Sequence, residues 1–280
     1  MNKIFALISF TFLIHTVGAA QEEFNGLLLE DEVYEVLHLA ADPLERGNLP
    51  LLVDLKPYCP IPGDQGTQPS CVAWTIANAL TIMRSMKENE TSVQRKQDLR
   101  LSVSYIYNQI KYQGDCQKGA TLSAGLNLLR SKGDCLAKSL SYDATQCHQL
   151  PSDIHHQQAA KYRIANFYKL FSKPSTSQLK INSVLSAIAN KQPVILGLKV
   201  PFGFRKRVPK SAEDWKAETH HAMLAVGYND LTETIMLMNS YGETWGEGGY
   251  CEIDFHSLGE NVVYAYVIEL GKDFGHPMAR

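Results

Sequence analysis

"DQGTQPSCVAW", residues 64–74, sets a single cysteine directly ahead of a run with helical spacing. From Cys71 to Met86, Ala73, Ile76, Ala77, Leu80 and Met83 recur on one face, and Val72, Ala79 and Met86 widen that face. This pattern predicts a helix running through a core. A cysteine in the first turn of a helix lies among unpaired N–H groups, which stabilise a thiolate and lower the thiol pKa. The stretch therefore holds a candidate nucleophile.

Downstream, "SYIYNQIK" (104–111), "TLSAGLNLLRSKG" (121–133) and "INSVLSAIANKQP" (181–193) carry apolar residues at helical spacing, and Gly133 stops the second of them. Beyond residue 193 the pattern changes to short strands: "VILGLKV" (194–200), "AMLAVGY" (222–228), "TIMLMNS" (234–240), "GYCEIDF" (249–255) and "VVYAYVIEL" (262–270). Helices first and strands second predict an α+β protein in two lobes with a cleft between them.

Upstream, "EEFNGLLLEDEVYEVLHLAADPLERGNLP" (22–50) is acidic, and Leu29, Val33, Val36, Leu37 and Ala40 fall near one helical face before Asp42-Pro43 ends it. It reads equally as a decoration packed on the main domain or as a short propeptide. The first twenty residues differ in kind: Lys3 is followed by the apolar "IFALISFTFLI" (4–14) and by "VGAA" (17–20). That is the pattern of a cleaved secretory signal with Gln21 as the mature N-terminus, and the apolar run is shorter than the roughly 20 residues a bilayer core requires. The expected location is secreted or periplasmic, without stable membrane insertion after cleavage, where six cysteines can oxidise. A net charge of −2, and "RKR" at 205–207 as a short basic run, leave no electrostatic footprint for nucleic acid. "CHQLPSDIHH" (147–156) matches no common zinc spacing, so no metal is expected.

The strand half supplies what a nucleophilic thiol needs. "HHAMLAVGYND" brings two histidines into a strand, and "NSYGETWGEGGY" (239–250) follows the next one. Together "QGTQPSCVAW", "HAMLAVGY" and "NSYGETWGEGGY" resemble the papain-like cysteine peptidases, in the order Cys, His, Asn, and the likeness is nearest to their bacterial secreted branch. It spans about residues 51 to 270. The resemblance implies a secreted cysteine peptidase (hydrolase, thiol protease) of papain-like two-lobed fold, with a domain over 51–272. The helical lobe would cover roughly 66–165, the β lobe roughly 166–270, and 273–280 would form a tail. It also implies that Cys71 is the nucleophile, His221 its base and acid, Asn239 the group orienting the imidazole, and Gln65 an oxyanion donor.

Gly119, in "CQKGA", matches the glycine whose backbone pairs with substrate; Tyr241 stands where the family usually has a tryptophan over the His–Asn bond, and Trp245 follows the family pattern in the same cleft. Adjacent strand residues point to opposite sides, so only one of His220 and His221 can face the thiol, and the "HAM" phase selects His221. Cofactors are not implied; partners are protein or peptide substrates and proteinaceous cysteine-peptidase inhibitors. Gln68 replaces a family cysteine, which leaves Cys116 without its usual partner; Cys147 has likewise lost its own. Cys116–Cys147 is the replacement this suggests, with Cys135 competing. Setting Cys71 aside leaves five cysteines, an odd number, so at least one of Cys59, Cys116, Cys135, Cys147 and Cys251 stays outside an internal bridge. The alternatives are another thiol acyl-transfer enzyme, an amidase or transamidase, and a non-catalytic binding protein on the same fold.

Overall fold

The computed structural model describes residues 26–215 and 219–275, so the expected signal at 1–20 and the end of the tail at 276–280 lie outside the described residues. The helix predicted from Cys71 is α2 (Cys71–Lys87), following the five-residue α1 (Asp31–Glu35). Every residue of α2 from Cys71 to Ile82 is buried. Polar members of this helix are paired: the Thr81 hydroxyl donates to the Ala77 carbonyl at 2.7 Å and accepts the Leu101 N–H at 3.1 Å. Around α2 lie α3 (Val93–Asp98), α4 (Val103–Ile110), α5 (Leu122–Ser131) and α6 (Asp153–Ala159). Thr121 caps α5 by accepting the Ala124 N–H at 3.3 Å. A Cβ on Gly125 would come within 2.5 Å of the Ile76 side chain, so glycine is what lets α5 lie this close to α2.

The other half is one antiparallel sheet. Its strands are β1 (Leu52–Asp54), β2 (Ile164–Lys169), β3 (Val194–Val200), β4 (Thr219–Asn229), β5 (Thr234–Met238), β6 (Tyr250–Asp254) and β7 (Val262–Leu270). They run in the order β2-β7-β3-β4-β5-β6, with β1 added to β4. Helices α7 (Ser177–Ala189) and α8 (Phe255–Asn261) pack together on this half. The start of α7 precedes the predicted 181 because Thr176 caps it, and Lys191, at φ 58°, marks the break after its end. The inner faces of the sheet and α2 share one hydrophobic core, with α2 laid across β4. The α+β architecture is the expected one. Among the described residues, no helix is long and apolar enough to cross a membrane.

Two local expectations fail. The short β2, with a register irregularity against β7, lacks clean alternation and was not anticipated. Among the described residues of the acidic segment, α-helix is confined to α1, and the predicted apolar face is split: Leu29, Val33 and Val36 are exposed, Val36 at 81%, while Leu37 and Ala40 are half-buried against the core. Tyr34 is the buried residue, at ring-centroid distances of 4.8 Å from Tyr264, 5.3 Å from Tyr266 and 6.2 Å from Phe171. An aromatic pocket supplied from more than 130 residues away along the chain outweighs a weak local period.

Candidate active site

Cys71 is the first residue of α2, and its N-cap, Ser70, makes no side-chain cap: its hydroxyl is engaged by Tyr142 at 2.7 Å instead. The first N–H groups of the helix therefore stay available to the thiol. Backbone hydrogen bonds from Ala222, Val72 and Cys71 itself favour the thiolate, but burial is the larger effect and pushes the thiol up to about 12. Cys71 has no accessible surface. Burial therefore opposes, in this arrangement, the stabilisation that the helix N–H groups give a thiolate.

Ala222 follows the two histidines, and β4 separates them as its pleat requires. In the ladder with β3, His221 pairs with Leu198 and His220 with Lys199. His221 is fully buried and its Nε2 lies 2.8 Å from Asn239 Oδ1. The same oxygen accepts the Ser240 backbone N–H at 2.7 Å, which fixes which end of the Asn239 amide faces the ring. An amide oxygen can only accept, so Nε2 carries the proton and Nδ1 is left as the basic nitrogen. The Tyr241 ring stacks on the imidazole with centroids 4.8 Å apart and planes 23° apart. Phe204 meets the imidazole edge-on at 5.9 Å, and Trp245 closes the cluster, its indole N–H donating to the Phe204 carbonyl at 3.1 Å. Arg205 lies 4.6 Å above the Tyr241 ring. Tyr241 thus covers one face of the imidazole, with its hydroxyl 3.4 Å from Nδ1. His220, half-buried, faces elsewhere; burial lowers its pKa, Lys199 adds to this, and Asp31 opposes it.

Gln65 is held at four points. Its N–H donates to the Ser240 carbonyl at 2.8 Å, its carbonyl accepts the Tyr142 hydroxyl at 2.8 Å, its Oε1 accepts the Ser240 hydroxyl at 2.7 Å, and its Nε2 donates to the Gln68 carbonyl at 3.0 Å. One amide hydrogen remains for another acceptor. Ser240, the neighbour of Asn239, therefore orients both Gln65 and Asn239; it stands in the quoted "NSYG" motif, yet nothing in the sequence assigns it this work. Tyr142 carried no sequence signal at all.

Opposite the imidazole the edge is occupied. The Ala120 N–H donates to the Gly26 carbonyl at 2.9 Å, and the Leu28 N–H donates to the Ala120 carbonyl at 3.0 Å, in a parallel bridge between Leu27 and Ala120. The groups that pair with the Gly26–Leu28 backbone thus belong to Ala120, the neighbour of Gly119. Gly119 has φ +68°, its carbonyl accepts the Tyr112 N–H at 2.8 Å, and a Cβ there would meet the Gly26 carbonyl oxygen at 2.2 Å. Its part is to turn the chain and admit a second backbone, not to pair with it. Gly26 itself lies against the Pro69 backbone, two residues before Cys71, and Leu27 is buried against Gly197 of β3.

Cys116 and Cys147 form a disulfide with 5.7 Å between Cα atoms, which ties down the loop leading to Ala120. Cys59, Cys135 and Cys251 are buried thiols, each pushed up chiefly by burial. His148 Nε2 is 3.4 Å from Cys116 Sγ, but both neighbouring sulfurs are spent in the disulfide, so this group offers no thiolate pair to a metal.

Residues 59–265 match a family model described as papain family cysteine protease. An uncharacterised peptidase C1-like protein of Acanthamoeba polyphaga mimivirus is 26% identical over 223 residues, covering 75% of this chain and 67% of the viral protein. Among solved structures, xylellain, a cysteine protease from Xylella fastidiosa, superposes with a TM-score of 0.70 at 22% identity, over 90% of this chain and 97% of xylellain. A Carica candamarcensis cysteine protease in complex with E-64 superposes with a TM-score of 0.57 at 17% identity, over 80% of this chain and 100% of the plant enzyme.

Proposed function

We propose, because the chain belongs to the papain family of cysteine proteases and is a cysteine-type peptidase, that it hydrolyses peptide bonds through Cys71, His221 and Asn239 with Gln65 as oxyanion donor. The observation that carries this reading is the His221–Asn239 bond, whose polarity leaves Nδ1 as the base beside a helix that begins at a cysteine. The Cys71 sulfur attacks the scissile carbonyl carbon while its proton passes to His221. The carbonyl oxygen gains the negative charge, which the Cys71 N–H and the spare Gln65 amide hydrogen stabilise. On collapse the C–N bond breaks, the imidazolium gives its proton to the leaving amine, and a thioester remains. Water, deprotonated by His221, then attacks the thioester and returns the thiol. The acyl side of a substrate pairs with Ala120, and the leaving side runs past His221 toward Tyr241 and Trp245. Protein or peptide substrates and proteinaceous cysteine-peptidase inhibitors are the partners of this reading; a plant cysteine protease of the same fold is bound by the inhibitor E-64.

If Gln65 acts on an oxyanion that exists only around the tetrahedral intermediate, Gln65→Ala lowers kcat on the order of 10²-fold with KM nearly unchanged. Iodoacetamide, which builds no oxyanion, alkylates Cys71 at the parent rate. Loss of both together would instead make Gln65 a structural residue.

The segment 26–35 functions as an inhibitory propeptide rather than a decoration. A productive acyl chain runs away from Cys71 toward its own N-terminus, whereas this segment runs from Gly26, near Cys71, outward toward its C-terminal side. It fills the Ala120 edge in the reverse sense and presents no carbonyl in the productive direction. Burial of the Leu27 side chain contributes about 2 kcal/mol to this cover, and a carboxylate in its place has no partner. Leu27→Asp in the full chain is expected to raise the rate of Cys71 alkylation by roughly tenfold or more; an unchanged rate would mean that the segment does not guard the thiol. Export through a signal at 1–20 is part of the same reading, supported by the Cys116–Cys147 disulfide, and N-terminal sequencing of the exported Cys71→Ala precursor, which cannot process itself, would overturn it by a start other than Gln21.

A further inference from the structure

Glu30, Asp31, Glu32 and Glu35 place four carboxylates in the covering segment, and its seat is built of donors. Glu30 Oε1 accepts the Ser123 backbone N–H at 2.7 Å and the Tyr266 hydroxyl at 3.2 Å, while Oε2 accepts the Ser123 hydroxyl in a short hydrogen bond. The Ser123 N–H belongs to the first turn of α5 and has no carbonyl partner within the helix. The Tyr266 ring is fully buried. Tyr264, buried beside it, accepts the Glu30 N–H at 2.7 Å and donates to Asp31, which Lys173 also engages. Lys169, 3% exposed, lies 3.5 Å from Glu35. Lys199 and His220 border the same region. Where a Cβ on Gly197 would stand, the Leu27 and Tyr264 side chains both come to 3.0 Å, so the pocket holding Leu27 shares a wall with this donor cluster.

We propose that the seat of Glu30 is also a substrate subsite, and that the mature cleft selects peptides carrying a glutamate or aspartate side chain on the acyl side, beyond the residue that pairs with Ala120. This rests on the peptidase reading above. When the segment leaves, the Ser123 N–H, the Ser123 hydroxyl and the Tyr266 hydroxyl lose their shared acceptor inside a largely apolar wall. Such donors are costly to leave unsatisfied, and a carboxylate answers all three at once. Lys173 and Lys169, no longer neutralised by Asp31 and Glu35, add attraction for an acid and repulsion for a base.

The test uses the full chain carrying Glu30→Gln and Asp31→Asn, which removes the segment's own carboxylates from the seat. Fluorogenic peptides keep leucine as the second residue before the scissile bond and carry glutamate or glutamine as the third or the fourth. Within one protein the Glu/Gln ratio of kcat/KM cancels any difference in the fraction of uncovered enzyme. We expect glutamate to be favoured about tenfold at one of the two positions, chiefly through KM. Adding Ser123→Ala or Tyr266→Phe is expected to bring the ratio to within about twofold of one. A ratio of one in the parent, or one that survives both substitutions, overturns the subsite. A parallel arm measures binding of the labelled peptides to the same chain with Cys71→Ala. Preferential binding of the glutamate peptide, dependent on Ser123, with no cleavage in the active chain keeps the subsite and overturns the peptidase reading; cleavage with no preference does the reverse, and neither cleavage nor binding overturns both.

Discussion

Cys71→Ala is expected to abolish peptide hydrolysis and labelling by a thiol-alkylating epoxide while leaving the fold intact. The step removed is bond formation to the scissile carbon, which no other group in the site can perform: Cys59, Cys135 and Cys251 are buried apart from the His221 cluster with their thiols pushed up by burial. The fold persists because only a sulfur atom is lost from a fully buried position at the start of α2, and the helix is held by the core along its length from Val72 to Ile82. The expected loss is to the background rate, measured on a mixed peptide library with circular dichroism as the check on folding. Residual hydrolysis in the alanine variant would mean that the nucleophile lies elsewhere, and the proposed mechanism would fall with it.

His221→Ala is expected to cost at least about 10³-fold in kcat/KM per active site. Without Nδ1 there is no acceptor for the thiol proton, no imidazolium to hold a thiolate at neutral pH, and no donor for the leaving amine. Asn239 cannot substitute, since its amide neither accepts nor releases a proton in this range. His220→Ala is expected to change the same quantity by about twofold, because β4 turns that side chain toward Lys199 and the carboxylates of the covering segment. Active-site titration keeps any change in covering apart from a change in turnover. The reverse ranking would transfer the base to His220 and contradict the pleat of β4.

Much of the site was legible because its chemistry sits in short, contiguous signals. A cysteine at a helix start, a histidine at a defined strand phase and an asparagine just past the next strand are each set by nearest neighbours and by periods of 3.6 and 2. The same logic placed the long helices and five of the strands. It failed for the three-residue β1, for β2, whose burial does not alternate cleanly, and for the short helices α3, α6 and α8, which span too few residues for a period to show. It did not show that Ala120 is the residue pairing with the Gly26–Leu28 backbone, because which N–H and C=O face that segment depends on the backbone turn at Gly119, φ +68°, which is invisible in residue types.

By itself, then, the order of residues determined the reactive groups, the strand face that separates His221 from His220, and the α+β layout, all of which follow from local periodicity and side-chain chemistry. Only the tertiary structure decided that the thiol is buried and where the N-terminal segment lies. Tyr34, outside the expected apolar face, packs against Phe171, Tyr264 and Tyr266, and Glu30 reaches Tyr264 and Tyr266 across 234 and 236 residues of chain. No window of sequence contains both ends of such contacts. Burial is likewise a tertiary property: at Cys71 the helix start and its N–H groups favour a thiolate, while burial in the folded chain is the larger effect and pushes the thiol pKa up.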